Sequence, residues 1–180
     1  MMTSSGKAES RLNKFEAEAM SHLDTLLKAS RRILHNPHDA EDVVQDTYMR
    51  AWRYFDSFEA GTNCRAWLFR IMFNVINGRK SREARNAETP IEEVTDRPGD
   101  KVIQMDPLKR IEGREVLDAT KQLSDDQRSV LWLVAVEEFS YREAAEILDV
   151  PIGTVMSRLH RARGELRRVL GNDRAAGTSG

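Results

Sequence analysis

The residues best suited to chemistry on a partner are five arginines near the C-terminus. Arg158, Arg161, Arg163, Arg167 and Arg168 fall within residues 151–170, where Glu165 is the only acid. Guanidinium groups at that density suit phosphate, which they meet through forked, charge-assisted hydrogen bonds. A second basic segment, residues 65–85, sets Arg65, Arg70, Arg79, Lys80, Arg82 and Arg85 against Glu83 alone. Before and between them the sign reverses: residues 36–59 hold six acids against Arg50 and Arg53, and residues 86–107 hold six against Arg97 and Lys101. The formal net charge of −1 therefore hides an alternation of basic and acidic segments. That pattern offers two places for phosphate and at least one for a basic protein partner. Catalysis finds little support. The four histidines, at 22, 35, 38 and 160, lack metal-ligand spacing, and no glycine-rich loop could grip a phosphate. Acid pairs such as Glu41-Asp42 suit a helix start rather than a cleft. Neither an enzyme, a metal site nor a cofactor is expected.

The rest of the composition agrees with an intracellular helical protein. The chain has 180 residues, enough for one ordinary domain or two small ones, and its 40% hydrophobic content allows packed cores. A single cysteine, Cys64, excludes an internal disulfide and a cysteine-rich zinc site, which fits a reducing cytoplasm. Standing alone before an aromatic helix, it reads as structural rather than redox-sensing. The longest apolar run, residues 130–136, is far too short to span a bilayer, and residues 1–9 hold no hydrophobic signal core. No membrane insertion is expected.

Periodicity places these charges on helices. Phe15, Ala19, Leu23, Leu26, Leu27 and Leu34 predict one helix over 12–34, ended by Asn36-Pro37. Ala40, Val43, Val44, Thr47, Tyr48, Ala51, Trp52 and Phe55 form a stripe over 39–55, with Asp39 as the expected N-cap and Trp52 and Phe55 in the core. After a loop over 57–63 containing Gly61, a third helix is expected from Cys64 to Ser81, with Trp67, Leu68, Ile71, Met72, Val75 and Ile76 inward and Phe69 and Phe73 open to either reading. Residues 84–107 lose the pattern and are punctuated by Pro90, Pro98, Gly99 and Pro107, as a flexible linker is. The pattern restarts at Leu108. Ser124–Gln127 and Ser140–Glu143 are capping boxes opening two further helices. A last helix runs over 152–170, and residues 171–180 read as a disordered tail. The fold class is all-α: a first bundle over 10–83, a linker over 84–107 and a second bundle over 108–170.

Residues 141–170 have the makings of a DNA-binding helix-turn-helix. Ala144 and Ala145 allow close crossing, Val150 and Val155 bracket a turn at Asp149-Val150-Pro151, and Gly153 is expected to relieve a clash at the crossing. An α-helix fits the major groove, and its N-terminal residues reach base edges. Thr154, Met156, Ser157 and His160 lie at that end, with Arg158, Arg161 and Arg163 beyond them for phosphates. Arg158 also has an internal reading, as the partner of an acid such as Glu143.

Three motifs in this order resemble the extracytoplasmic-function (ECF) sigma factors of bacterial RNA polymerase. They are Asp39-Ala40-Glu41-Asp42-Val43-Val44-Gln45-Asp46 and the residues on to Trp52, Trp67-Leu68-Phe69-Arg70-Ile71 followed by Asn74, and Val150-Pro151-Ile152-Gly153-Thr154-Val155-Met156-Ser157-Arg158-Leu159-His160-Arg161-Ala162-Arg163. The resemblance implies that the first bundle binds core RNA polymerase and the promoter's minus-ten element, and that the second binds the minus-thirty-five element. It implies that Asp39, Asp42, Gln45 and Asp46 face the basic helical clamp of the large polymerase subunit. It implies a minus-ten reader made of the loop 56–63 with Asn63, Arg65, Arg70, Asn74, Asn77, Arg79 and Lys80. The minus-thirty-five set is then Thr154, Met156, Ser157, Arg158, His160, Arg161 and Arg163. Met156 departs from the basic residue that many members carry there, and a bidentate guanine contact is typically worth about 1–3 kcal/mol of discrimination. The surrounding residues resemble stress-responsive members, some of them held by an anti-sigma protein. The alternative is a helix-turn-helix regulator that binds DNA without polymerase.

Overall fold

The structure, a computed structural model, describes residues 4–34, 36–86 and 114–176. Among them there is no strand, and the chain divides into two compact units, Met1–Ile91 and Glu92–Gly180. The all-α expectation holds.

The first unit holds α1 (Ser4–Ala19), α2 (Leu23–Ile33), α3 (Pro37–Tyr54) and α4 (Cys64–Asn86), with single 3-10 turns at Met20–His22 and Phe55–Ser57. The apolar spacing predicted one continuous helix over 12–34, and this is corrected. The carbonyl of Ala19 accepts a hydrogen bond from the Tyr48 hydroxyl at 2.9 Å, while the Leu23 N–H turns to Met20 instead. A tertiary donor has replaced the helical one, so the chain tightens into a 3-10 turn and α2 restarts. Burial pushes the Tyr48 hydroxyl's pKa far above its ordinary value, which keeps it a donor.

The start of α3 also differs from expectation. Asn36, not Asp39, is its N-cap, accepting from the His38 N–H at 3.0 Å with Pro37 at the helix start. Pro37 needs no N–H there and suits the first turn, which leaves Asp39 inside that turn, near the positive helix end. α3 packs between α2 and α4, and α4 also touches α1. α4 buries Leu68, Phe69, Met72, Phe73, Val75 and Ile76, which resolves Phe69 and Phe73 as core. Phe55 is buried, as expected, but Trp52 and Trp67 are only half-buried, at the margin of an aromatic cluster. Phe15 lies edge-on to Trp52 and Phe55, with centroids 5.1 Å away in each case.

The helical boundaries extend beyond those predicted. α4 continues past Ser81 to Asn86, so residues 84–86 are helix rather than linker. No Gly or Pro intervenes before Pro90, and Arg82, Glu83, Ala84 and Arg85 are good helix formers. The remaining linker residues, 87–107, lie outside the described residues.

The second unit holds α5 (Arg114–Thr120), α6 (Asp125–Ala135), α7 (Tyr141–Leu148) and α8 (Ile152–Ala176). The restart expected at Leu108 falls outside the described residues as far as 113. Both capping boxes form: Ser124 with Gln127, and Ser140 with Glu143, each pair bonded reciprocally between side chain and backbone. α7 ends on Asp149 in the left-handed conformation, with φ at 55°. Asp tolerates that region better than most residues, and it turns the chain sharply into Val150 and Pro151. The Pro151 carbonyl then accepts from the N–H groups of Thr154 and Val155, which starts α8. α8 packs against α5, α6 and α7, burying Val155, Leu159, Ala162 and Leu166. It runs to Ala176, so residues 171–176 are helical and not tail; Arg174, Ala175 and Ala176 favour helix. Gly153 is not a clash-relieving residue: a Cβ there would meet nothing within 4 Å.

Gly164 is likewise in open space within α8. A mid-helix glycine costs about 0.5–1 kcal/mol relative to alanine. Gly164→Ala should therefore raise unfolding stability by about that amount, read from chemical denaturation at constant slope.

Candidate nucleic-acid interface

Within α4 the helical period sorts the expected DNA contacts into two groups. Arg70, Asn74 and Asn77 recur at i, i+4 and i+7 and are all exposed, forming one polar stripe opposite the buried face. Asn63 stands at the head of this helix, exposed, with its side-chain oxygen accepting from the Ala66 N–H at 3.0 Å. It caps α4, so that oxygen already has a partner. The stripe presents amides and a guanidinium, which suit base edges and phosphates.

Arg65 and Arg79 lie away from that stripe. Arg65 sits 6.0 Å from the ring centroid of Phe69 and is half-buried. Burial first, and then the Arg65 charge, hold the His22 imidazole below its ordinary pKa against an opposing pull from Glu18. Arg79 points at α3, where its guanidinium bonds Asp46 at 2.7 Å and approaches Asp42 at 4.0 Å. The structure thus joins a residue expected on the minus-ten reader to two expected on the polymerase face. Lys80 is half-buried beside it in sequence.

On α3, Asp39, Asp42 and Gln45 are exposed and Asp46 is half-buried. Glu41 pairs with Arg31 of α2 at 2.7 Å and stands apart from this set. The sequence reading passed over Met49, which is 59% exposed one helical turn beyond Gln45. It belongs to the same outward face, which therefore has an apolar centre among carboxylates and amides. The signal was available as a methionine off the apolar stripe of 40–55.

In α8, Met156, His160 and Arg161 are exposed, while Thr154, Ser157, Arg158 and Arg163 are half-buried. Ser157 donates from its hydroxyl to the Thr154 carbonyl at 3.1 Å. Arg158 pairs with Asp126, at the start of α6, at 2.6 Å. Its internal role is therefore real, with Asp126 as an acid that sequence reading did not name. Arg163 flanks the outer face, and its Nε is buried without a hydrogen-bond partner. Ile152, 48% exposed, adds an apolar residue beside Met156 at the helix's leading end.

No metal centre is suggested: among the described residues no three or more His, Cys, Asp or Glu side chains gather to hold an ion. Nor, among them, is any helix long and apolar enough to cross a membrane.

Two family descriptions cover most of these elements. Residues 19–86 match Sigma-70 region 2, and residues 113–166 match Sigma-70, region 4. The chain is 37% identical to the ECF RNA polymerase sigma factor EcfG of Rhodopseudomonas palustris over 139 residues, covering 75% of this chain and 73% of that one. It is 32% identical to the ECF RNA polymerase sigma factor SigW of Bacillus subtilis over 156 residues, covering 82% and 83%. Among solved structures it resembles the sigma factor RpoE of Bartonella quintana, determined in complex with the anti-sigma factor NepR, at 32% identity and a TM-score of 0.69 over 88% of this chain and 97% of that one. The chain belongs to the ECF family of RNA polymerase sigma factors.

Cys64 opens α4 in the buried interior of the first unit. Burial, with a smaller contribution from Glu18, pushes its thiol up to about 11. The nucleophilic thiolate is then scarce at neutral pH. Iodoacetamide at neutral pH should leave the native protein unmodified over a period that fully alkylates it in denaturant; equal rates in both states would show an accessible, reactive thiol.

Proposed function

We propose that this ECF sigma factor grips promoters at two elements while bound to core polymerase, and that it supports strand opening at the first. The observation that carries this reading is the exposed polar stripe of Arg70, Asn74 and Asn77 on α4, the helix that follows the loop 56–63. Opening a promoter without fuel requires trapping unpaired bases, and a polar, basic surface is a means of doing so. Asn63, Arg65, Arg79 and Lys80 support that surface from elsewhere on α4, Asn63 by capping the helix and Arg79 through its link to α3.

Core polymerase is met by the outward face of α3, through Asp39, Asp42, Gln45 and Asp46, with Met49 supplying apolar contact. Carboxylates there suit a basic partner surface. The minus-thirty-five element is met by α8 in the major groove. Thr154, Met156, Ser157 and His160 approach base edges, Arg161 and Arg163 meet phosphate, and Arg158 contributes from its tether to Asp126.

The regulon is one of stress response and the site of action is the cytoplasm. An anti-sigma protein holds the factor until the signal arrives. The likeness to a sigma factor solved with its anti-sigma partner supports that arrangement.

Run-off transcription on genomic promoter fragments tests the reading. Core polymerase plus the chain should give discrete transcripts that neither gives alone. Tight, specific binding of the free chain to DNA, with no transcript on any fragment, would assign it instead to a regulator that works without polymerase. Arg161→Ala should weaken holoenzyme binding across promoters and lower the salt slope by about one counterion, leaving sequence preference in place. A change of preferred sequence would move Arg161 from phosphate to base.

A further inference from the structure

Arg11 makes more contacts across the first unit than a surface arginine needs. From α1 its Nε donates to Asp56 at 2.8 Å and its Nη2 donates to the Trp52 carbonyl at 2.6 Å. Its guanidinium carbon also lies 4.1 Å from the Trp52 ring centroid. The Trp52 carbonyl is one of the last of α3, and it also accepts the Phe55 N–H that closes the helix. Asp56 is the first residue of the loop 56–63. One cation therefore satisfies a terminal carbonyl, sits at the negative end of the α3 dipole, and pairs with the acid at which the loop departs.

The same side chain walls a cleft of about 800 Å³ between α1 and the turn after α3, which Lys14, Phe55 and Phe58 also line. Phe58 stacks on Phe55 with centroids 5.9 Å apart and lies 4.9 Å from Trp67, itself 6.4 Å from Phe55, so the three rings form one cluster. The first loop residues are thus held from two directions, by this ring stack and by Arg11. Beyond them Gly61, with φ at 88°, turns the chain back to α4. The arginine's side chain is only 27% exposed, whereas that of Asp56 is 78% exposed. Arg11 is the fixed member of the pair, and the loop is what it holds.

We propose that Arg11 is a positioning residue for promoter reading, latching the end of α3 so that the loop 56–63 meets the minus-ten element in one geometry. This rests on the reading of that loop as part of the minus-ten reader. Loss of the latch leaves the aromatic core in place but frees the loop's first residues, so the effect falls on discrimination rather than on assembly.

The test uses holoenzyme reconstituted from core polymerase and the full chain, on a duplex promoter selected by the unsubstituted holoenzyme and on versions with swapped minus-ten bases. Arg11→Ala should lower open-complex yield on the selected promoter about tenfold, the loss expected of one charge-assisted hydrogen bond. It should flatten the preference among minus-ten versions while core affinity stays within about twofold, the scatter expected of distant, independent sites. Arg11→Lys keeps the charge without the fork and should restore part of the preference, and Asp56→Asn should lose part of it. If Arg11→Ala cannot be purified folded, the latter two variants decide by the same readout. A preserved minus-ten preference in the Arg11 variants, with only a lowered melting temperature, makes Arg11 a structural brace and overturns the proposal. Glu59→Ala with Thr62→Ala tests the loop itself. If that double variant alters the preference and the Arg11 variants do not, the proposal fails and the loop reading stands. If the double variant leaves the preference intact, the loop reading fails and takes the proposal with it.

Discussion

Backbone groups at the ends of short helices must find partners, and the partners they find here decide which side chains remain for nucleic acid. Asn36 and Asn63 give their amide oxygens to the starts of α3 and α4. Ser124 and Ser140 do the same for α6 and α7 with their hydroxyls. Tyr48 serves the Ala19 carbonyl, and Arg11 serves that of Trp52. Each such bond fixes where a helix stops and therefore the phase of the face that follows. The exposed stripe on α4 belongs to a helix whose first turn Asn63 caps, through its side-chain oxygen and the Ala66 N–H.

The same economy governs charge. A chain of net charge −1 offers nucleic acid a favourable surface only by keeping its opposite charges apart or pairing some of them internally. Both occur. Arg79 is engaged by Asp46 and Arg158 by Asp126, and in each case an arginine of an expected DNA-facing set is bonded to an acid of a neighbouring helix. Partly exposed pairs of this kind add little to stability, typically no more than about 1 kcal/mol. Their effect is geometric: they fix the rotamer of a long side chain and keep the acid's charge from acting on a nearby phosphate. What remains outward, Arg70 on α4 and Arg161 on α8, is exposed and stands on a helix whose opposite face is packed.

Signals confined to a few residues were legible in the sequence. The capping boxes at Ser124 and Ser140 span four residues each, and the αL turn at Asp149 sits beside Val150-Pro151, so local chemistry sufficed to place α6, α7 and α8. The motif order pointed to the family before any coordinates. Features set by distant residues were not legible. The break after Ala19 needs a hydroxyl 29 residues away, and the burial of Phe69 and Phe73 needs α4 to be covered on a wider face than one stripe implies. Asp39 looked like a cap because Pro37 and Asn36 read as the end of the previous helix; the same two residues end one helix and begin the next. Gly153 looked like a packing residue because a helix crossing lay nearby, and only coordinates show that the space beside it is open. Arg11 carried no periodic signal at all, since its partners lie 41 and 45 residues further along.

These constraints bear on why such a protein works through polymerase. Among the described residues, the faces proposed for DNA offer few cations for phosphate: α8 presents a handful of exposed arginines, and α4 presents Arg70 and two amides beside its basic end. Binding that rests on so few neutralised phosphates is weak at physiological salt and falls steeply as salt rises. Holding two such units on one large partner converts the second encounter into an intramolecular one, which multiplies modest affinities without new contacts. The acidic face of α3 then has a role beyond adhesion. It carries negative charge on the same small bundle as the exposed stripe of α4 proposed for DNA, which disfavours DNA while that face is bare. On the proposed reading a basic partner surface neutralises it on docking, so the charge pattern that would attract polymerase would also make free promoter binding poor.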